Sequence, residues 1–143
     1  MNMHGLVSTR APAAVIIIRL LVGLVFLSQG IQKFLLPDAV GAGRFARLGF
    51  SSPEFTAMFV AIFEITCGVL VLLGFLTRLA VIPLLVIMAV AIWKTKMPTL
   101  LEKGFWVTAH EGRTDFAMTL ALIFLFVVGA GRWSIDAATS RAE

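Results

Sequence analysis

Glu64 stands alone in an apolar run of 22 residues, positions 55–76, that carries no other charge. A run of that length suits a membrane-crossing helix, because about 20 residues at ~1.5 Å rise traverse the hydrocarbon core. A carboxylate ionised at mid-membrane is costly unless a cation or a donor meets it. Arg19, which breaks into the preceding apolar stretch at 13–34, is the partner the sequence offers. Counting from the ends of the two runs places Arg19 ~10 Å and Glu64 ~14 Å below the same membrane face. An arginine side chain spans the difference. The pattern therefore predicts a direct Arg19–Glu64 pair, in which the forked guanidinium satisfies the carboxylate. Such a pair has two readings: glue between helices, which is the simpler, or the polar wall of a functional cavity.

Other groups of the same chemical kind lie nearby. Gln29 and Lys33 close the first apolar stretch, and Cys67 follows Glu64 by about one helical turn. These are the side chains that a ligand or a proton between helices would meet. Cys67 is the only cysteine, which excludes an internal disulfide or a CxxC redox pair, and a small packing residue is its simpler role. A second polar cluster, Lys94, His110, Glu111, Arg113 and Asp115, gathers at the opposite face from the chain ends. One histidine with two acids is a poor metal ligand set, so no metal site is expected there. Proton shuttling is the functional reading of His110, and charge pairing at the start of a helix is the plainer one. No phosphate-binding loop, nucleophile elbow or haem-type histidine pair occurs in the apolar segments.

The elements that must position these residues follow from apolar length and punctuation. Helices are predicted over 12–35, 53–76, 78–94 and 115–131. Ser52-Pro53-Glu54 is a good helix start, with a capping serine, a first-turn proline and an early acid. Residues 74–78 leave room only for a tight reversal, so the second and third helices must be antiparallel neighbours. The stretch 94–113 is the longest polar connection, and 100–106 mixes apolar and charged residues as an interfacial segment does. Arg19, Gly23, Phe26, Gly30 and Lys33 share one helical stripe, as do Ala57, Ala61, Glu64 and Gly68, and their small residues permit close packing. The expected fold is all-α, an integral-membrane antiparallel four-helix bundle forming one domain over 1–143.

Composition supports a membrane protein. The 143 residues are 59% hydrophobic and 14% charged, far from a soluble domain of this size. The net charge of +4 is carried mostly by residues flanking apolar runs, which points to anionic lipid headgroups and away from nucleic acid. The N-terminal apolar stretch is read as a retained span, since Arg19 splits it and no clear small-residue cleavage site follows. An even number of spans puts both ends on one side, with Arg10, Arg78, Arg132 and Arg141. The other side holds Lys33, Arg44, Arg47, Lys94, Lys96, Lys103 and Arg113. The positive-inside rule leans toward this second side being cytoplasmic.

Several stretches resemble the DoxX family. Arg19-Leu20-Leu21-Val22-Gly23-Leu24-Val25-Phe26 followed by Gln29-Gly30-Ile31-Gln32-Lys33 is similar to its first helix. Arg44-Phe45-Ala46-Arg47-Leu48-Gly49-Phe50, Phe63-Glu64-Ile65-Thr66-Cys67-Gly68 and Leu73-Gly74-Phe75-Leu76-Thr77-Arg78 resemble its next elements. Gly129-Ala130-Gly131-Arg132-Trp133-Ser134-Ile135-Asp136 is similar to its closing motif, and 110–116 to one subgroup. The resemblance implies a small four-helix protein of the bacterial inner membrane, associated with membrane oxidoreductase systems. One branch supplies a small subunit of a thiosulfate:quinone oxidoreductase and another a partner of redox-defence proteins. It carries no catalytic residue set. On this reading no cofactor is intrinsic, a quinone is the candidate ligand with Arg19 or Lys33 bonding a carbonyl, and a redox protein or a second copy is the partner. The competing classes are a non-catalytic scaffold and, less favoured for want of room, a small transporter.

Overall fold

A computed structural model describes residues 12–142; His4 and Arg10 lie outside the described residues. Among these the chain forms seven helices and no strand. They are α1 (Val15–Leu35), α2 (Ala42–Arg47), α3 (Pro53–Leu73), α4 (Thr77–Lys103), α5 (Phe105–Glu111), α6 (Arg113–Val128) and α7 (Ile135–Ala142). Three of them, α1, α3 and α4, are long and apolar enough to cross a membrane. The helix expected over 115–131 is α6, whose 16 residues reach only ~24 Å.

The long helices close into a ring. α1 packs along α3, α3 against α4, α4 against α6, and α6 returns to α1. Val22 of α1, Val71 of α3, Val81 and Leu84 of α4, and Leu122 and Leu125 of α6 are fully buried between them. The outward residues are as apolar as the core: Ile17, Leu24, Ile62, Leu79, Ile123 and Val127 are all exposed. That inversion of the soluble pattern is what lipid contact requires, since acyl chains solvate such a surface without penalty.

The α1–α3 seam is closely packed. A Cβ on Gly23 would lie 3.0 Å from the Gly68 carbonyl, and one on Gly30 would lie 2.8 Å from the Ala61 carbonyl. Close backbone approach of this kind is how membrane helices gain dispersion energy without a hydrophobic driving force. It also sets the register: Gly23 lies opposite Gly68 and Leu72, and Gly30 opposite Ala61 and Glu64.

α3 begins at Pro53 as the Ser-Pro-Glu signal indicates, although Ser52 contributes its carbonyl, not its hydroxyl, accepting from the Thr56 amide at 2.9 Å. α3 stops at Leu73 because Gly74 takes a left-handed conformation at φ +66°, and Leu76 follows at φ +48°. α4 departs most from expectation. It runs on past Lys94, through Pro98, to Lys103, and α5 and α6 then fill most of what reads as a polar connection. Polar residues from Lys94 onward end the apolar run, and an exposed helix has no reason to stop there. Thr95 and Thr99 help by donating their hydroxyls to the carbonyls four residues back, at 2.7 and 2.9 Å. α6 starts at Arg113 after Gly112, with no side-chain cap from Thr114.

Candidate functional site

Glu64 does not pair with Arg19. Its Oε2 accepts from the Lys33 Nζ at 2.6 Å, and the two side chains are only 6% and 9% exposed. The reason lies in the lean of helical side chains, which tilt toward the N-terminus of their own helix. α1 and α3 are antiparallel, so Lys33 leans back into the membrane while Glu64 leans out toward it. Arg19 leans the other way, toward the opposite face. Its helical neighbours on α3 are Val71 and Leu72, ~10 Å along the helix from Glu64. Counting depth along the two helices carries no information on lean, and lean sends the two side chains toward opposite faces.

The Lys33–Glu64 pair forms one end of a cavity of about 400 Å³. Val25, Phe26 and Gln29 of α1, Thr56, Phe59 and Val60 of α3, Val86 and Val90 of α4, and Met118 of α6 line its sides. Its cover is the α1–α3 connection, through Val40, Arg44, Phe45, Leu48 and Phe50. That cover has its own internal bonds. Arg47 donates to the carbonyls of Asp38 and Ala39 at 3.0 and 3.2 Å, and the rings of Phe45 and Phe50 lie 5.2 Å apart. Arg44 projects from α2 close enough to act on the charge of Glu64. Across the mouth, Lys94 sits 5.1 Å from the Phe50 ring centroid, an attraction of ammonium for the ring's negative face. Asp115, also on the lining, pairs with Lys96 at 3.3 Å.

The remaining residues of interest fall outside this cavity. Cys67 is buried in the core between the helices and does not line it. His110, Glu111 and Arg113 are exposed on and after α5. Glu111 pairs with Lys103 at 3.6 Å, and Arg113 donates to the His110 carbonyl at 2.7 Å. Among the described residues no group of three histidine, cysteine or acidic side chains is placed to hold a metal ion.

Arg19 builds a second polar site at the other face, where it ties α1 to the end of α3 and to the segment after α6. Nε donates to the Val71 carbonyl at 2.9 Å, and the two terminal nitrogens donate to the carbonyls of Leu72, Ala130 and Trp133. Two of these acceptors belong to the last turn of α3, which carries the negative end of the helix dipole. Beside it Asp136, only 2% exposed, accepts from the amides of Leu76 and Thr77 at 2.8 and 3.1 Å, capping the start of α4. The Asp136 amide donates to the Gly74 carbonyl at 2.9 Å, and its charge opposes that of Arg19. Sequence reasoning missed both Asp136 and Arg44. Asp136 had a signal: among the described residues it is the only acid close to Arg19's face, and so the only counter-charge available there.

The sequence pattern of the DoxX family matches residues 14–97. An uncharacterized membrane protein of Mycobacterium tuberculosis is 51% identical over 142 residues, covering 95% of this chain and 87% of that one. No solved structure matches the chain. The family pattern takes in α1, α2, α3 and most of α4, hence the Lys33–Glu64 pair and the cover of the cavity. A family match over more than half the chain, and a relative aligned along nearly all of it, establish that this membrane protein belongs to the DoxX family.

Proposed function

We propose that this chain is a four-span protein of the bacterial inner membrane that serves as a quinone-binding subunit or partner of a membrane oxidoreductase. The observation that carries the reading is the cavity: about 400 Å³ of mostly apolar wall with a buried ammonium–carboxylate pair at one end. Lipid-soluble quinones need such a site, apolar for the ring and tail with one or two donors for a carbonyl. Lys33 is the donor and Glu64, already bonded to it, is the group through which a proton would pass; Gln29 adds a side-chain amide to the same wall. Arg19, engaged by four carbonyls, has no role at the ligand. Electron transfer requires a cofactor or a reversible dithiol, and a chain with one buried cysteine offers no dithiol, so the electrons come from a partner.

Four crossings are supported by the ends of α6. Asp115 meets Lys96 at one end, and Ala130 meets Arg19 at the other, so a short helix accompanies α4 from face to face. The few ångströms it lacks are within what local bilayer thinning accommodates. Residues 12 and 131 are then adjacent on one face, and the charge bias puts that face outside.

The test is purification in mild detergent followed by lipid extraction and chromatography. Wild-type protein is expected to retain quinone, and Lys33→Leu to lose most of it while remaining monodisperse. Equal retention by both, or none by either after reconstitution with quinone, would refute the reading. Co-purification of a redox protein with an empty cavity would favour the scaffold class.

A further inference from the structure

The mouth of the cavity carries more positive charge than a neutral quinone explains. Lys33 is neutralised by Glu64, and Asp115 by Lys96. Arg44 and Lys94 remain, on different elements flanking the same opening. Among the described residues neither has an ion-pair partner within 4.0 Å; Lys94 rests on the Phe50 ring and Arg44 acts only on a carboxylate that Lys33 already holds. Both side chains are exposed to the mouth. We infer that Arg44 and Lys94 form a headgroup site for an anionic single-chain amphiphile whose tail occupies the apolar part of the cavity.

The orientation of the cavity fits such a molecule. Its charged rim comes from Lys33 at the end of α1, Arg44 on α2, Lys94 on α4 and Asp115 in the first turn of α6, all at one membrane face. Its apolar part, around Val25, Phe26, Val86 and Met118, reaches toward mid-membrane. A lipid anion entering from its own leaflet already lies this way, head at the face and chain inward, so binding requires no inversion. Arginine and lysine on opposite sides suit a carboxylate or phosphate monoester: the guanidinium offers a planar two-point contact and the ammonium a mobile point charge. The size, about 400 Å³, lies at the small end of the range of about 300–1,000 Å³ typical of ligand pockets, and suits one chain, not the paired chains of a whole phospholipid. The inference is independent of the redox role, because it rests on charges that the quinone reading leaves unused.

The experiment uses full-length protein in a neutral detergent and follows thermal unfolding and native mass spectrometry. The probes share one tail and differ in head: dodecanoate, dodecyl phosphate, dodecanol and dodecyltrimethylammonium, with inorganic phosphate alone and decylubiquinone as further arms. The two anionic amphiphiles are expected to bind, and the neutral and cationic ones at least tenfold more weakly. Arg44→Gln with Lys94→Gln should lower anion affinity at least tenfold, and Arg44→Lys with Lys94→Arg should restore most of it. Since both residues are exposed, the variants leave the core untouched, and an unchanged gel-filtration profile checks this. Equal binding of dodecanol, an unaffected double variant, or equal protection by inorganic phosphate would each overturn the inference. Decylubiquinone separates the two claims: its retention alongside absent anion binding refutes only the headgroup site, and the reverse refutes only the quinone.

Discussion

Lys33 and Glu64 replace each other's water inside a wall that is otherwise apolar. Removing one partner leaves the other charged and unpaired, so Lys33→Leu or Glu64→Leu alone is expected to cost about 3–5 kcal/mol, and the double variant less than the sum. Thermal unfolding in detergent measures the cycle, and additive losses would mean that the bond at 2.6 Å contributes no coupling. By contrast Arg19→Leu and Glu64→Leu should add within about 0.5 kcal/mol, because their sites share no partner. Asp136 is a residue of the same rank with a different task. Asp136→Ala strips the acceptor from two amides at the start of α4 and should destabilise by about 1–3 kcal/mol. Asp136→Asn keeps one side-chain oxygen and should lose less. An alanine variant as stable as wild type would show that water replaces the cap.

At the scale of elements, the glycines separate packing from backbone strain. A side chain at Gly30 would collide with the Ala61 carbonyl and the Ile65 side chain, and α1 cannot retreat without opening the cavity wall. Gly30→Val should therefore cost about 1–3 kcal/mol or more through overpacking and displace Lys33 from Glu64. Gly49 has open space around it but sits at φ +82°, so Gly49→Ala should cost only the left-handed penalty of about 1–2 kcal/mol. A ligand-binding assay beside the melting curves distinguishes the two: binding should fall in the Gly30 variant beyond what stability explains. The α4–α5 corner shows the same separation of influences. Trp106 is 82% exposed next to lysines and a glutamate, a composition suited to the headgroup layer, and the helix there is held by its own backbone bonds, with little tertiary cover.

For the whole molecule, the ring of four long helices makes a topological statement that can be checked in cells. Single cysteines at Ser52 and Thr139, in a Cys67→Ala background, are expected to react with an impermeant reagent from opposite sides of the membrane. Reaction from one side would mean that α6 does not cross. The purified chain is also expected to show no quinone reductase turnover with a soluble donor until a redox partner is added. Turnover in a preparation free of flavin, haem and other proteins would force a direct electron-carrying role onto this chain.

Apolar length, composition and punctuation by Gly, Pro and Ser were enough to place α1, α3, the reversal after Leu73 and the α-helical membrane class, because these depend on local backbone cost and on transfer into lipid. The residue types of the site, a buried acid with basic and amide groups near a helix end, were legible for the same reason: a charge in an apolar run has to be satisfied by something. Which charge satisfies which was decided only by the tertiary structure. The choice of Lys33 over Arg19 follows from side-chain lean in an antiparallel pair, and the engagement of Arg19 with α3's last carbonyls follows from a register set by glycine contacts. The continuation of α4 to Lys103 and the folding of the 37–52 connection over the cavity are likewise products of packing. Hydropathy reports where a segment leaves the bilayer; it does not report where a helix ends, or what that helix then covers.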